Sequence, residues 1–149
     1  MVSRAVALDA SPLGLLARPR RVPQALACAA WLQSLLSAGV RVIHPEIADY
    51  EVRRELLRLG SVRGIAQLDA LAARIEYLPL TTPAMRLAAD LWARARQQGQ
   101  PTAGNKTIDA DMILAAQALT LGVPVVVATS NVGHLTRFVP AELWQNISP

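Results

Sequence analysis

Three acids of this 149-residue chain stand where an ordinary surface account serves them poorly. Asp9 directly follows the apolar run Ala5 to Leu8. A carboxylate at the end of a buried strand needs partners, because burying an unpaired charge is costly. Asp111 falls at helical spacing over Leu114, Ala115 and Ala118, on a core face rather than a solvent face. Glu51 borders the apolar stripe of its own helical segment. Each has a bland reading. Asp9 could cap a turn, Asp109 and Asp111 could favour a helix dipole by ~0.3–1 kcal/mol, and Glu51 alone would be a surface residue. Together they say more, because all three can open onto one rim of a sheet. Carboxylates gathered in one cleft repel one another unless a cation holds them. Oxygen-only ligands suit a hard ion, Mg²⁺ or Mn²⁺. Such an ion can activate a water and hold a phosphoryl oxygen.

The elements that must position these acids alternate short apolar runs with helical stretches. Val6-Ala7-Leu8 reads as a buried strand ending at Asp9. Gln24 to Ala38 has helical composition and stops at Gly39. Val40 to Ile43 reads as a second strand, and Pro45 opens a helix over Glu46 to Leu59 that Gly60 closes. Its expected apolar stripe is Ala48, Val52, Leu56 and Leu59. A short helix over Gln67 to Ala73 and a third strand at Ile75 to Leu78 follow. Thr82-Pro83 opens a helix running to Gly99, with Leu87, Ala88, Leu91 and Ala95 on one face. Gln100 to Lys106 reads as a loop, and Thr107 as the cap of a helix ending at Leu121. Val125 to Ala128, apolar and β-branched, suits the centre of a parallel sheet. The tail from Leu135 to Trp144 fits no single element. This alternation predicts one α/β domain over residues 1–149, built on a parallel sheet. Ligands in such sheets bind beyond the carboxyl ends of the strands, where Asp9 and Thr129-Ser130-Asn131 fall.

Charge and composition narrow the classes further. Hydrophobic residues form 52% of the chain and charged residues 17%, which excludes a disordered chain. Fourteen arginines and one lysine against eleven acids give a net charge of +4. Arginine suits bidentate pairing with phosphate. The clusters Arg18, Arg20, Arg21 and Arg53, Arg54, Arg58, Arg63 therefore read either as a solvated surface or as a footprint for RNA or DNA. Lone Cys28 excludes an internal disulfide and suits a reduced, cytoplasmic setting. The uncharged stretch from Val22 to Val40 is broken by polar residues, and a helix over its middle reaches about 22 Å, short of a ~30 Å hydrocarbon core. The run Ala5 to Leu8 is too short for a signal-peptide core.

Other chemistries lack their residues. No glycine loop for a dinucleotide or nucleoside triphosphate is present. Cys28, His44 and His134 have the wrong spacing for zinc, and no serine nucleophile elbow occurs. His44 beside Pro45 reads as a turn or cap residue, and Trp31 and Trp92 as core or interface. A phosphohydrolase of small phosphate esters would place two aspartates two apart at the first strand end, but Ser11 follows Asp9 and Ala10.

The ordered set resembles the PIN-domain family, in particular its single-domain VapC-type ribonucleases. Val6-Ala7-Leu8-Asp9-Ala10-Ser11 is similar to the family's opening motif, and Ile47-Ala48-Asp49-Tyr50-Glu51-Val52 to its second. Asp109-Ala110-Asp111-Met112-Ile113-Leu114-Ala115-Ala116 is similar to the third, and Val127-Ala128-Thr129-Ser130-Asn131 to the last. The resemblance implies a Rossmann-like open parallel sheet with helices on both faces. It also implies a Mg²⁺- or Mn²⁺-dependent ribonuclease, commonly a homodimer, acting as the toxin of a pair with a small antitoxin. On this resemblance Asp9 and Asp111 hold the ion, and Glu51 binds it or orients its water. Thr129 steadies the carboxylates by hydrogen bonding. Asp109 is an additional ligand candidate, and Arg18, Arg20, Arg21 and Arg54 are candidates for holding RNA. Many relatives carry an acid at the position of Asn131; an amide there brings no charge and would weaken a second ion. That departure motivates a second expectation, a non-catalytic nucleic-acid- or protein-binding module on the same fold.

Overall fold

The computed structural model describes residues 4–18, 22–98 and 105–149. Its centre is a five-stranded parallel sheet in the order β3-β2-β1-β4-β5. The strands are β1 (Ala5–Leu8), β2 (Val42–Pro45), β3 (Glu76–Leu78), β4 (Val125–Thr129) and β5 (Ala141–Leu143). Between β1 and β2 run α1 (Ala10–Ala17) and α2 (Pro23–Ser37), and between β2 and β3 run α3 (Glu46–Arg58) and α4 (Val62–Arg74). Helices α5 (Thr82–Gln97) and α6 (Asn105–Leu119) lead from β3 to β4. Parallel neighbours require such crossovers.

Alternation along a strand sends successive side chains to opposite faces, and β1 shows the consequence. Val6 and Leu8 join an apolar cluster with residues of α1, α2 and α4, while Ala5 and Ala7 join another with residues of α5 and α6. Helices therefore cover both faces, as expected. Helix α3 serves both clusters: Ala48 and Val52 belong to the first, and Ile47 to the second. It lies against α1, α4 and α6, which places it across the carboxyl end of the sheet.

The start of α3 is pinned by a buried amide. Gln117 Oε1 accepts from Ile47 N at 3.1 Å, and its Nε2 donates to Leu78 O at 2.9 Å. Glu46 accepts from Leu80 N at 2.7 Å and from the Tyr77 hydroxyl at 3.1 Å. The chain leaves α3 through Gly60, whose φ of +66° favours glycine. Ser61 Oγ then caps α4 by accepting from Gly64 N at 3.1 Å.

Several local expectations are corrected. Ala10 to Ala17 is helical although no periodicity signalled it, and Ala141–Leu143 forms the edge strand β5 inside the ambiguous tail. Helix α4 extends from Val62 to Arg74, well beyond Gln67 to Ala73. Thr81, not Thr82, caps α5, and α6 begins at Asn105, so Thr107 lies inside it. Of the loop expected over Gln100 to Lys106, residues 100–104 lie outside the described residues. Leu59 is 63% exposed, because α3 ends one residue earlier. His44 is not a turn residue: it sits in β2, fully buried, with Nε2 2.8 Å from Asp49 Oδ1. Burial pushes its pKa down, against the pull of Asp49. Trp31 is core, donating through Nε1 to Ile147 O at 2.9 Å and packing on Trp144. Trp92 is 37% exposed. No helix among the described residues is long and apolar enough to cross a membrane.

Candidate active site

Parallel register sets the site. Leu8 pairs with Ala128, so Asp9 and Thr129 stand side by side, each one residue further along. The strand order reverses direction of travel between β1 and β4, the place where open sheets form a crevice. Asp9 is the N-cap of α1, with Oδ1 accepting from Ala10 N at 2.7 Å and Oδ2 accepting from Thr129 Oγ1 at 2.7 Å. Burial raises its carboxyl above the usual value, and those two hydrogen bonds oppose the rise.

Glu51 reaches this rim from α3, and Asp111 from the first half of α6. The Glu51 carboxyl is pushed up to about 7, chiefly by burial and then by the charge of Asp9; Arg54 opposes the rise and Asp111 adds to it. The Asp111 carboxyl is pushed up to about 6 by burial and by Asp9, with His134 opposing. The structure thus brings Asp9, Glu51 and Asp111 into one electrostatic neighbourhood. Among the described residues, no three His, Cys, Asp or Glu side chains are gathered into a ready-made metal cage. The donor chemistry nonetheless suits a hard divalent ion: all three carboxyls are raised by burial, the charge of Asp9 raises Glu51 and Asp111 further, and a cation would relieve that repulsion.

Asp109 is not brought to this group. It is exposed and lines a groove between α5 and α6 with Met85, Trp92 and Met112. Asn131 is engaged in its own loop, where Oδ1 accepts from Gly133 N at 3.1 Å. Its N–H donates to Thr129 Oγ1 at 3.1 Å. Arg18 and Arg54 are both exposed and flank a cavity that also contains Glu51. Arg20 and Arg21 lie outside the described residues. Within the second basic cluster, Arg53 is bound to Asp49 and Asp69, and Arg58 to Glu55.

Two neighbours were not among the expected site residues. Ser11 Oγ accepts from Ser130 N at 3.0 Å, tying the loop after β4 to α1. His134 stands near Asp111 with a buried Nδ1 that has no hydrogen-bond partner. Only its position, three residues beyond Asn131 in the last motif, could have pointed to it.

A family model described as PIN domain matches residues 6–133, and the chain belongs to the PIN domain family. No curated protein matches the sequence. Among solved structures, the fold is similar to VapBC2 from Rickettsia felis bound to a DNA fragment from its promoter. That likeness has a TM-score of 0.70 at 15% identity and covers 94% of this chain and 98% of that one. The DNA-bound VapBC of Salmonella typhimurium gives 0.66 at 20% identity, covering 95% and 98%. VapBC-5 from Mycobacterium tuberculosis, a member of the VapBC family of toxin-antitoxin systems, gives 0.57 at 21%, covering 93% and 96%. At these identities the likeness shows the fold.

Proposed function

We propose that the chain is a metal-dependent ribonuclease, the toxin of a pair whose partner is a small antitoxin protein. The observation that carries this reading is the set Asp9, Glu51 and Asp111, each raised by burial, with Glu51 and Asp111 raised further by the charge of Asp9. Asp9 and Asp111 would hold Mg²⁺ or Mn²⁺, and Glu51 would bind the ion or orient a water beside it. When bound, the ion supplies charge for a phosphoryl oxygen and lowers the pKa of water. Thr129 fixes the Asp9 carboxylate through its 2.7 Å bond. Asp109, exposed in the groove between α5 and α6, is not needed as a ligand. Arg18 and Arg54 hold the RNA, with Arg20 and Arg21 as further candidates.

The antitoxin partner is supported by the VapBC assemblies whose fold this chain shares. A homodimer is supported by the groove between α5 and α6, where Met85 and Trp92 stand exposed. Buried Cys28, without a disulfide, suits a reducing compartment such as the cytoplasm.

The test is cleavage of structured and single-stranded RNAs by purified protein in Mg²⁺ or Mn²⁺, beside Asp9→Asn. Loss of cleavage in the variant supports the proposal. Equal cleavage by both proteins assigns the activity to a contaminant and overturns it. Asn131, an uncharged residue turned into its own loop, favours a second reading, a PIN-fold binding module without turnover. RNA binding without cleavage, and without Mn²⁺-dependent thermal stabilisation, would establish that reading instead.

A further inference from the structure

We propose that a side arm of the carboxylate cleft, between α1 and α3, receives one nucleotide flanking the scissile phosphate. Arg18 and Arg54 take its phosphate, and Gly14 leaves room for its base. This rests on the ribonuclease reading above. The arm is a cavity of about 570 Å³, within the ~300–1,000 Å³ of small-molecule sites. Glu51 lines it together with Ser11 and Ser130, the pair whose hydrogen bond closes the loop beside Asp9. The arm therefore opens from the rim that carries the carboxylates.

Its cations differ from several others among the described residues. Arg41, Arg53, Arg58 and Arg94 are each bound to an acid. Among the described residues, neither Arg18 nor Arg54 forms an ion pair; Arg54 lies over the Tyr50 ring, 5.3 Å from its centre. Two guanidinium groups line one recess, each a planar fork that suits bidentate pairing with phosphate; Arg54 also stands in the field of Glu51 and Glu55. Glu55, the other acid lining the arm, is bound to Arg58. Leu15 and Leu56 give an apolar wall for a base, and the Gln24 amide offers both a donor and an acceptor for its edge.

Gly14 is the least expected residue of the arm. It lies inside α1, away from the positive-φ positions, and a Cβ there would meet only Val52 Cγ2, at an ordinary 3.9 Å. Neither backbone nor packing demands glycine, which weakens a two-turn helix relative to alanine. Its missing side chain keeps the arm open. By contrast, a cavity of about 850 Å³ beside Asp49, Arg53 and Tyr77 has its polar groups bound to one another. It offers a ligand no such pair.

The test is fluorescence anisotropy with a short fluorescein-labelled single-stranded RNA in EDTA, where cleavage does not intervene. Arg18→Gln and Arg54→Gln should each weaken binding roughly ten- to a hundredfold. Each should also flatten the dependence of log K on log salt by about 0.7, the amount for one lost single-strand phosphate contact. Gly14→Leu should block binding, whereas Arg86→Gln, on α5 and outside the arm, should bind as wild type does. If Gly14→Leu fails to fold on a thermal melt, Gly14→Met replaces it. Wild-type affinity and salt slope in both arginine variants would overturn the arm, while cleavage in Mn²⁺ would still uphold the ribonuclease. RNA bound through the arm but never cleaved would sink the ribonuclease and leave the arm standing. Variants that release a protein partner but keep RNA would overturn the arm in favour of a protein contact.

Discussion

Replacing Thr129 with valine removes one hydroxyl while keeping the side chain's shape, at a position 1% exposed. That hydroxyl donates to Asp9 Oδ2 at 2.7 Å and accepts from Asn131 N at 3.1 Å. A hydrogen bond to a charged group contributes ~1.5–3 kcal/mol, and the loss is felt in full when the partner stays buried. Asn131 is exposed, so its N–H can turn to water and adds little. Thr129→Val should therefore cost about 2–3 kcal/mol in metal-free protein near neutral pH, lowering Tm by about 4–12 °C for a chain of this size. The sign with pH follows from the bond, which lowers the Asp9 carboxyl against the rise caused by burial. Its charge-assisted part exists only while Asp9 is ionised. As pH falls through the Asp9 titration the difference should shrink to the ~1 kcal/mol of a neutral bond. Thr129→Ser, which keeps the hydroxyl and loses a methyl, should cost about 1 kcal/mol at either pH. Calorimetric melts of the three proteins at neutral and acid pH provide the measurement. Equal melting of Thr129→Val and wild type at neutral pH would refute the claim that Thr129 holds the Asp9 carboxylate.

Glu51→Gln should stabilise metal-free protein relative to wild type. The folded Glu51 carboxyl titrates at about 7, above its usual 4.5, so ionising it weakens the fold. The gain in Tm should be absent below about pH 4, grow as pH rises, and level off above pH 7; a gain already complete at pH 4 would contradict the assignment. Mn²⁺ affinity, read by isothermal titration calorimetry, should fall as pH drops through about 7 and about 6, with protons released on binding, because Glu51 and Asp111 must ionise first. A pH-independent affinity would place the ion elsewhere. Gln117→Leu should destabilise by about 2–4 kcal/mol in urea unfolding, since Ile47 N–H and Leu78 C=O both lose their partner. On the proposed homodimer, Trp92→Glu should shift light scattering from dimer to monomer, because it places a charge in the groove between α5 and α6.

Buried parallel strands are short apolar runs, and β1 and β4 were legible for that reason. Acids placed directly after a strand or on a helix's core face were legible as anomalies of burial. Helix α1 was not, because its eight residues include Ser11, Pro12 and Gly14 and are started by the Asp9 carboxylate itself. His44-Pro45 looked like a turn, but proline lacks only the N–H, and Pro45 still aligns with Leu78 at the end of β2. The edge strand β5 is three residues long and partly exposed, so it carries almost no apolar pattern. Glu51 joins the site only because α3 crosses the end of the sheet, a consequence of Ile47 and Val52 packing into different apolar clusters. No spacing within one segment encodes that crossing. Asp109 and Asp111 are two apart on one helix, and helical pitch alone sends them to different sides.

On the proposed reading, one divalent cation is held jointly by Asp9, Glu51 and Asp111. A crystal soaked in Mn²⁺ and measured at the manganese edge tests it most directly. A single anomalous peak is expected within coordination distance of the Asp9 and Asp111 carboxylates, lost in Asp9→Asn crystals. A peak elsewhere on the protein, or one that persists in Asp9→Asn, would contradict it.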